Sequence, residues 1–179
     1  MKTILWLVGA PGVGKTTLAR RFIPLLSRVH PSPKWTVGRG VVAAGHYTGG
    51  TFDGADTVPY NGVKVALTFW QATLALQANL TLLDGDRFSS AGVLQFFREL
   101  PFGASLRCAC AYLALPVEVA EARRQARGGG QNPAWVKGRQ TKSLRFFEMF
   151  PEEARVSLDA RMSSEALAVR LKSFLGGAP

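Results

Sequence analysis

The sequence predicts an α/β fold, a three-layer sandwich in which helices cover both faces of a parallel sheet. Short apolar runs of strand length alternate along the chain with segments of helical period. A glycine-rich turn at residues 9–16 joins the first strand to the first helix, as in a βα unit. The 179 residues suit one domain, and parallel strands place ligands beyond their carboxyl ends.

Apolar period and helix-breaking residues set the elements of the first half. In residues 60–78, the apolar residues Val63, Leu67, Trp70 and Leu74 lie at helical spacing. The expected elements are a strand at 3–8, a helix from Lys15 to about Ser27, an extended segment at 35–44, an irregular loop at 45–56 and a helix at 60–78.

Serine caps and a triple glycine delimit the helices of the second half. Ser89 or Ser90 caps one helix, Ser163 caps the last, and Gly128 begins a glycine triplet that ends another and starts a mobile connection. The expected strands are 80–83, 106–115 and 155–158, and the expected helices are 89–100, 117–127, 139–149 and 163–175.

Residues 9–16 read Gly-Ala-Pro-Gly-Val-Gly-Lys-Thr, a phosphate-binding loop between a strand and a helix. Its backbone N–H groups bind phosphate oxygens, and the helix N-terminus adds positive potential. We expect Lys15 to reach the β- and γ-phosphates and the Thr16 hydroxyl to bind Mg²⁺. ATP and Mg²⁺ are therefore the expected cofactors. The predicted cofactor-binding residues are Gly9, Ala10, Pro11, Gly12, Val13, Gly14, Lys15, Thr16, Thr17 and Arg124.

Two carboxylates follow the strand at 80–83. Asp84 ends that strand, so it lies at the edge of the sheet where the phosphate-binding loop also lies, and we predict that it holds Mg²⁺. Asp86, two residues on, is a second candidate ligand. The alternative is that one of the two caps the helix that begins near Ser89.

The loop after the second extended segment contains Asp53 and Asp56, the first acidic residues of the chain. A kinase that phosphorylates a hydroxyl needs a carboxylate to accept its proton. Each aspartate is a candidate base. The structural alternatives are a turn residue for Asp53 and a helix N-cap for Asp56, and the sequence does not decide between the two.

Arg123, Arg124 and Arg127 lie at helical spacing before the triple glycine. Cations on a helix that swings on a glycine hinge suit a lid over the transferring phosphoryl group. We predict that Arg123 and Arg127 act in catalysis and that Arg124 binds the nucleotide. The alternative is a solvated basic helix face.

The chain carries a net charge of +10, unevenly distributed. Its first 52 residues hold seven basic residues and no acidic one. Residues 119–146 hold seven basic residues against Glu121 alone, with Trp135 and Phe146 interleaved. A nucleotide site explains part of this excess, and the remainder favours a polyanionic partner such as nucleic acid.

No apolar run is long enough to cross a bilayer, and no membrane association is predicted. The apolar N-terminus resembles a signal peptide but runs directly into the phosphate-binding loop, so we interpret it as a buried strand. Cys108 and Cys110 alternate on a predicted strand and lack the spacing of a zinc site. A reducing cytoplasm is therefore the expected location.

These motifs together resemble the nucleoside-monophosphate-kinase-like group of P-loop kinases. The resemblance rests on the phosphate-binding loop, Leu-Leu-Asp-Gly-Asp-Arg at residues 82–87 and Arg-Arg-x-x-Arg at 123–127. It implies a five-stranded parallel sheet in the order 2-3-1-4-5. It also implies one kinase domain over residues 1–179, with a lid and basic segment at about 117–146.

Residues 50–57 and 132–142 more narrowly resemble bacteriophage kinases of DNA base hypermodification, which phosphorylate 5-hydroxymethyluracil in phage DNA. The resemblance implies DNA as the partner and the host cytoplasm as the location. The candidates for substrate or DNA contact are then Arg87, Trp135, Lys137, Arg139 and Lys142. Two alternatives stay open: a kinase of a nucleoside monophosphate or small metabolite, and a nucleic-acid-binding ATPase without an acceptor. The sequence does not indicate an oligomeric state.

Overall fold

A computed structural model of the chain describes residues 1–23, 27–30, 33–49, 53–71, 78–126 and 128–176. The strands of the described part form one sheet flanked by helices. The strands are β1 (Lys2–Val8), β2 (Arg28–His30), β3 (Trp35–Gly38), β4 (Val41–Ala44), β5 (Leu80–Asp84), β6 (Leu106–Ala114) and β7 (Arg155–Asp159). The helices are α1 (Lys15–Arg20), α2 (Val63–Phe69), α3 (Ala91–Arg98), α4 (Val117–Gln125), α5 (Pro133–Glu148) and α6 (Ser164–Gly176).

The α/β class is confirmed, but the predicted five-stranded parallel sheet is wrong in strand number and therefore in order. The sheet has seven strands in the order β2-β3-β4-β5-β1-β6-β7. β4, β5, β1, β6 and β7 are parallel neighbours, whereas β2 and β3 extend the β4 edge in antiparallel pairing. When only the five parallel strands are numbered along the chain, their order in the sheet is 2-3-1-4-5. The error is that the prediction missed the antiparallel strands β2 and β3.

That extension comes from a hairpin inside the predicted extended segment. β3 pairs antiparallel with β4, from Trp35 against Ala44 to Gly38 against Val41. Only two residues connect the strands, and the second, Gly40, has a φ of +73° that other residues rarely adopt. A short apolar run of period two does not reveal such a reversal, because both arms carry the same pattern.

Most of the remaining elements follow the predicted order, with shifted ends. α1 ends at Arg20 rather than near Ser27, and the sequence explains this because Pro24 disfavours a helical residue before it. α5 begins earlier than predicted because Asn132 caps it, accepting a hydrogen bond of 2.8 Å from the amide of Ala134. The predicted caps Ser90 and Ser163 are confirmed by their bonds to backbone amides. The second half of the predicted helix at 60–78 lies outside the described residues.

Alternate residues of β1 face two separate cores. Trp6 is fully buried on one face, where it meets Phe97 edge-on at a centroid distance of 5.4 Å and also contacts Phe146 of α5 and Phe150. Leu5 and Leu7 face the other core with residues of α1 and α6. The sheet is therefore covered on both faces, as predicted, and α5 and α6 lie on opposite sides of it.

Both cysteines lie with the core on the Trp6 side of the sheet, as the alternation predicts. Burial raises the pKa of the Cys108 thiol to about 11, so this thiol stays protonated and unreactive at neutral pH. Within the described ranges, no helix combines the length and apolarity that crossing a bilayer requires.

Gly138 lies in the interior of α5, and a Cβ built on it has no heavy atom within 4 Å. We expect Gly138→Ala to raise the free energy of unfolding by about 1 kcal/mol, because alanine loses less backbone freedom in a helix. Thermal unfolding would then shift upward by roughly 2–4 °C. Gly45→Ala is the matched control, since its φ is +95° and its Cβ would overlap the Gly54 carbonyl. That variant should be destabilised, and a destabilised Gly138→Ala would contradict this description of α5.

Candidate active site

The phosphate-binding loop connects β1 to α1 and curls at three glycines with positive φ. Gly14 has a left-handed backbone, with φ +98°, directly before the first residue of α1. A Cβ at Gly12 would lie 2.8 Å from the Arg124 side chain, so this position accepts no larger residue without displacing α4. The loop opens into a cavity of about 680 Å³. This volume is in the range of ligand pockets.

Lys15 lies on the floor of this cavity. Its ammonium donates hydrogen bonds to the carbonyl oxygens of Gly9 and Ala10, at 3.0 and 2.9 Å. Burial lowers the pKa of Lys15, while the charges of Asp84 and Asp56 oppose that shift. The ammonium is therefore held at the loop by neutral carbonyl partners, and its contact with phosphate oxygens stays a prediction.

Thr16 and Asp84 meet at the cavity, as predicted for a metal site. The Thr16 hydroxyl donates to Asp84 Oδ2 at 2.7 Å. Two oxygen ligands at adjacent positions around Mg²⁺ lie about 3 Å apart, because each metal–oxygen bond is about 2.1 Å. Both are hard oxygen donors, the type that Mg²⁺ prefers. The pair therefore fits a magnesium ion bound next to the phosphate-binding loop.

Three further contacts bind the loop after β4 to Asp84. The Tyr47 hydroxyl and the Ala55 amide donate to Asp84 Oδ1 at 2.7 and 2.8 Å. Gly54, with φ +72°, approaches so closely that a Cβ there would lie 2.6 Å from Asp84 Oδ2. The chain doubles back through a hydrogen bond of 2.6 Å from the Gly54 amide to the His46 carbonyl. These contacts bring residues 53–56 to the carboxyl end of β5.

Asp53 organises this loop. Its side chain is 3% exposed and accepts hydrogen bonds from Arg20 of α1 at 2.5 and 3.1 Å. It also accepts from the amides of Thr48 and Gly49, at 2.9 and 3.0 Å. Burial by itself raises the pKa of Asp53, but these hydrogen bonds outweigh it and hold the pKa below its ordinary value. A carboxylate that already accepts these hydrogen bonds is a poor base, so Asp53 is better suited to hold the loop in place.

Asp56, the other candidate base, lies at the mouth of the cavity with a side chain that is 65% exposed. Partial desolvation and then the negative charge of Asp84 raise its pKa above the ordinary value, although Lys15 and Arg87 oppose the shift. Its nearest cation is Arg87, at 3.8 Å. A carboxylate in a cleft with a raised pKa and a free edge has the properties of a general base.

The structure places the predicted lid arginines in different surroundings. Arg124 is 9% exposed, packs over Gly12 and donates to the Pro11 carbonyl at 3.2 Å, so it borders the cavity. Arg123 donates instead to the Ala160 carbonyl at 3.2 Å and does not line the cavity. Arg127 lies outside the described residues. Gly128 and Gly129 line the cavity just after α4 ends.

Helix α5 carries a cluster of cations and aromatic rings. Arg139 forms an ion pair with Asp86, and the Lys142 ammonium lies 3.2 Å from the Asp86 carbonyl. Asp86 is the predicted second metal ligand, but its carboxylate is occupied by this ion pair and it is not among the residues that line the cavity. Arg139 lies 5.0 Å from the Trp135 ring and 5.9 Å from the ring of Tyr60.

Three residues of the site were not predicted. Tyr47 bonds to Asp84, Arg20 pairs with Asp53, and Tyr60 stacks against Arg87 at 3.9 Å. Only Arg20 had a usable signal, because it is a cation on the same predicted helix as Lys15. The tyrosines carry no charge and lie outside the strands and α-helices, in segments whose course the sequence pattern does not reveal.

No family model matches the sequence, and no curated protein matches it significantly. Solved structures do match it. A sugar kinase from Janibacter sp., without ligand, aligns over 100% of this chain and 97% of its own, with a TM-score of 0.57 and 20% identity. Deoxyadenosine kinase from M. mycoides aligns over 98% of this chain and 100% of its own, with a TM-score of 0.56 and 12% identity. The tunicamycin resistance protein of Deinococcus radiodurans aligns over 98% of this chain and 96% of its own, with a TM-score of 0.57 and 18% identity. The chain has the fold of P-loop kinases.

We expect Asp53→Ala to lower the free energy of unfolding by about 2–3 kcal/mol, because it removes a charged hydrogen bond and leaves two loop amides unpaired. The lowered pKa of Asp53 means that this contribution is complete well above the ordinary value of 3.8 and is lost as the pH falls through the folded-state value. Denaturant titrations at several pH values would measure it. A difference between the two proteins that does not change with acidification would contradict the assignment.

Proposed function

We propose that the protein is an ATP-dependent kinase that transfers the γ-phosphoryl group to a hydroxyl. One observation carries the proposal: Lys15, the Thr16–Asp84 pair and Asp56 converge on a single cavity beside the phosphate-binding loop. A cation for phosphates, a pair of oxygens for magnesium and a carboxylate with a raised pKa are the components that phosphoryl transfer requires. The kinase fold of the similar structures is consistent with this proposal.

The acceptor that we propose is the hydroxymethyl group of 5-hydroxymethyluracil in DNA. The net charge of +10, the resemblance of residues 50–57 and 132–142 to phage DNA-base kinases, and the ring cluster near the cavity support it. Tyr60 and Trp135, whose rings lie 5.9 and 5.0 Å from Arg139, are 53% and 43% exposed, as in stacking platforms for an unpaired base. A target nucleotide in a duplex would first leave the base stack.

In this mechanism each residue has a distinct role. The loop amides and Lys15 hold the triphosphate, and Arg124 keeps the loop closed over Gly12. Mg²⁺, held by Thr16 and Asp84, would neutralise developing charge on the phosphates. Asp56 accepts the proton of the acceptor hydroxyl as its oxygen bonds to the γ-phosphorus and the bond to the ADP oxygen breaks. Asp53 and Arg20 position the loop that carries Asp56.

A second candidate is a kinase of a free nucleoside monophosphate or small metabolite. The structures with the same fold include a deoxyadenosine kinase and a sugar kinase, which favours a small acceptor. Salt separates the two proposals. The KM for a DNA acceptor should rise steeply between 50 and 200 mM salt (roughly 10³-fold for six phosphate contacts), whereas that for a small acceptor should change little.

The decisive experiment supplies γ-labelled ATP and Mg²⁺ with DNA that contains or lacks 5-hydroxymethyluracil, and with the free nucleoside monophosphate. We expect label only on the DNA that contains the modified base. Lys15→Ala should abolish transfer while its thermal unfolding stays close to that of the parent protein. Label on inorganic phosphate alone would indicate an ATPase, and transfer by Lys15→Ala would reject the site.

Asp56→Asn should lower kcat by about 10²–10⁴-fold with little change in the KM for ATP, because only proton transfer is lost. In the parent enzyme, activity requires the ionised carboxylate. The raised pKa of Asp56 therefore places the acid limb of the pH profile above the ordinary value of 3.8. An acid limb below that value would instead identify Asp53, whose pKa is lowered. Asp159→Asn, at the far end of the sheet, is the matched control and should retain parental activity.

A further inference from the structure

A second cavity, of about 650 Å³, lies between α5 and the segment that begins α3. Three cations of α5 line it, Lys137, Lys142 and Arg145, and no carboxylate lies among its described lining residues. In the part of the chain that the structure describes, neither Lys137 nor Arg145 has an ion pair. Lys142 is paired with Asp86 at 3.9 Å, so two of the three groove cations lack a carboxylate partner among the described residues. A groove with two such cations is suited to an anion with several charges.

Gly138 is a second, independent indication of a ligand. It lines the same groove from the interior of a sixteen-residue helix, where glycine costs about 1 kcal/mol relative to alanine. Neither of the usual structural reasons applies, because its backbone is helical and a Cβ there would meet no atom within 4 Å. What the glycine provides is free space in the floor of the groove.

The groove is close to the proposed reaction centre. Gly85 lines the nucleotide cavity and Ser89 lines the groove, and four residues of chain span about 14 Å at most. A nucleic-acid strand rises about 3.4 Å per nucleotide, so this distance corresponds to roughly four nucleotides. Arg139 of α5 pairs with Asp86, which lies between Gly85 and Ser89 in the chain, and the Trp135 ring lies 5.0 Å from Arg139.

We propose that this groove binds the phosphodiester backbone of the DNA strand a few nucleotides from the acceptor base; the inference rests on the proposed function. Lys137 and Arg145 contact phosphates, and Gly138 allows the backbone to approach the helix. The exposed Trp135 ring favours a nucleic acid over an acidic polypeptide, because every base offers a face for stacking.

The test compares Arg145→Glu in the groove with Arg170→Glu, two charge reversals that each change the net charge by about two units. Arg170 is the control, because it is exposed on α6, which packs on the opposite face of the sheet. Gly138→Glu also places a carboxylate in the groove and changes the net charge by about one unit. The probe is a fluorescent single-stranded 12-mer with one 5-hydroxymethyluracil, titrated at several salt concentrations, with ATP binding measured in parallel. We expect Kd for the oligonucleotide to rise about tenfold in Arg145→Glu, with the salt slope reduced by about one. ATP affinity should not change, and Arg170→Glu should bind like the parent protein.

The outcomes separate the groove from the proposed function. If the groove variants label DNA with parental KM and bind the 12-mer like Arg170→Glu, the groove is rejected and the kinase proposal stands. If DNA is never labelled but binding falls only in the groove variants, the acceptor is wrong and the groove is retained. Displacement of the 12-mer by poly-glutamate at equal charge concentration would assign the groove to an acidic polypeptide and overturn this inference.

Discussion

The candidate site depends on the hydrogen bonds that the Asp84 carboxylate accepts. This aspartate is 3% exposed, and a buried charge is tolerated only when hydrogen-bond donors surround it. The donors come from two segments distant in sequence: Thr16 at the end of the phosphate-binding loop, and the Tyr47 hydroxyl and Ala55 amide of the loop after β4. The same group that terminates the central strand β5 therefore joins both sides of the cleft, and its electrostatic requirement is satisfied only in the assembled site.

α5 connects the site to the hydrophobic core. Phe146 packs against Trp6 of the central strand, and the Ser143 hydroxyl donates to the Gly9 carbonyl at 3.3 Å. Arg139 and the exposed Trp135 lie along the same stripe of the helix, nearer its N-terminus, at i, i+4 and i+8 spacing with Ser143. Helix α5 therefore links the loop at residues 9–16 to the core around Trp6.

The sequence predicted the parts of the site that depend on local pattern. A loop with fixed spacing located Lys15 and Thr16, and the end of an apolar strand located Asp84, because strand direction alone decides which edge these residues reach. It did not separate Asp53 from Asp56, since that difference depends on how a glycine-rich loop turns back and which donors it meets. The hairpin of β3 and β4 was missed for a related reason: its reversal depends on a single glycine backbone.

The antiparallel strands β2 and β3 cover the edge of the sheet that β4 would otherwise form. Without them, β4 would expose a row of unpaired amides and carbonyls, the kind of border that templates aggregation. β3 covers that row, and β2, only three residues long and beginning with the charged Arg28, replaces it as the outer border. A short, charged margin of this kind resists recruitment of further strands. The antiparallel strands thereby protect from aggregation the side of the sheet where the loop that carries Asp53 and Asp56 begins.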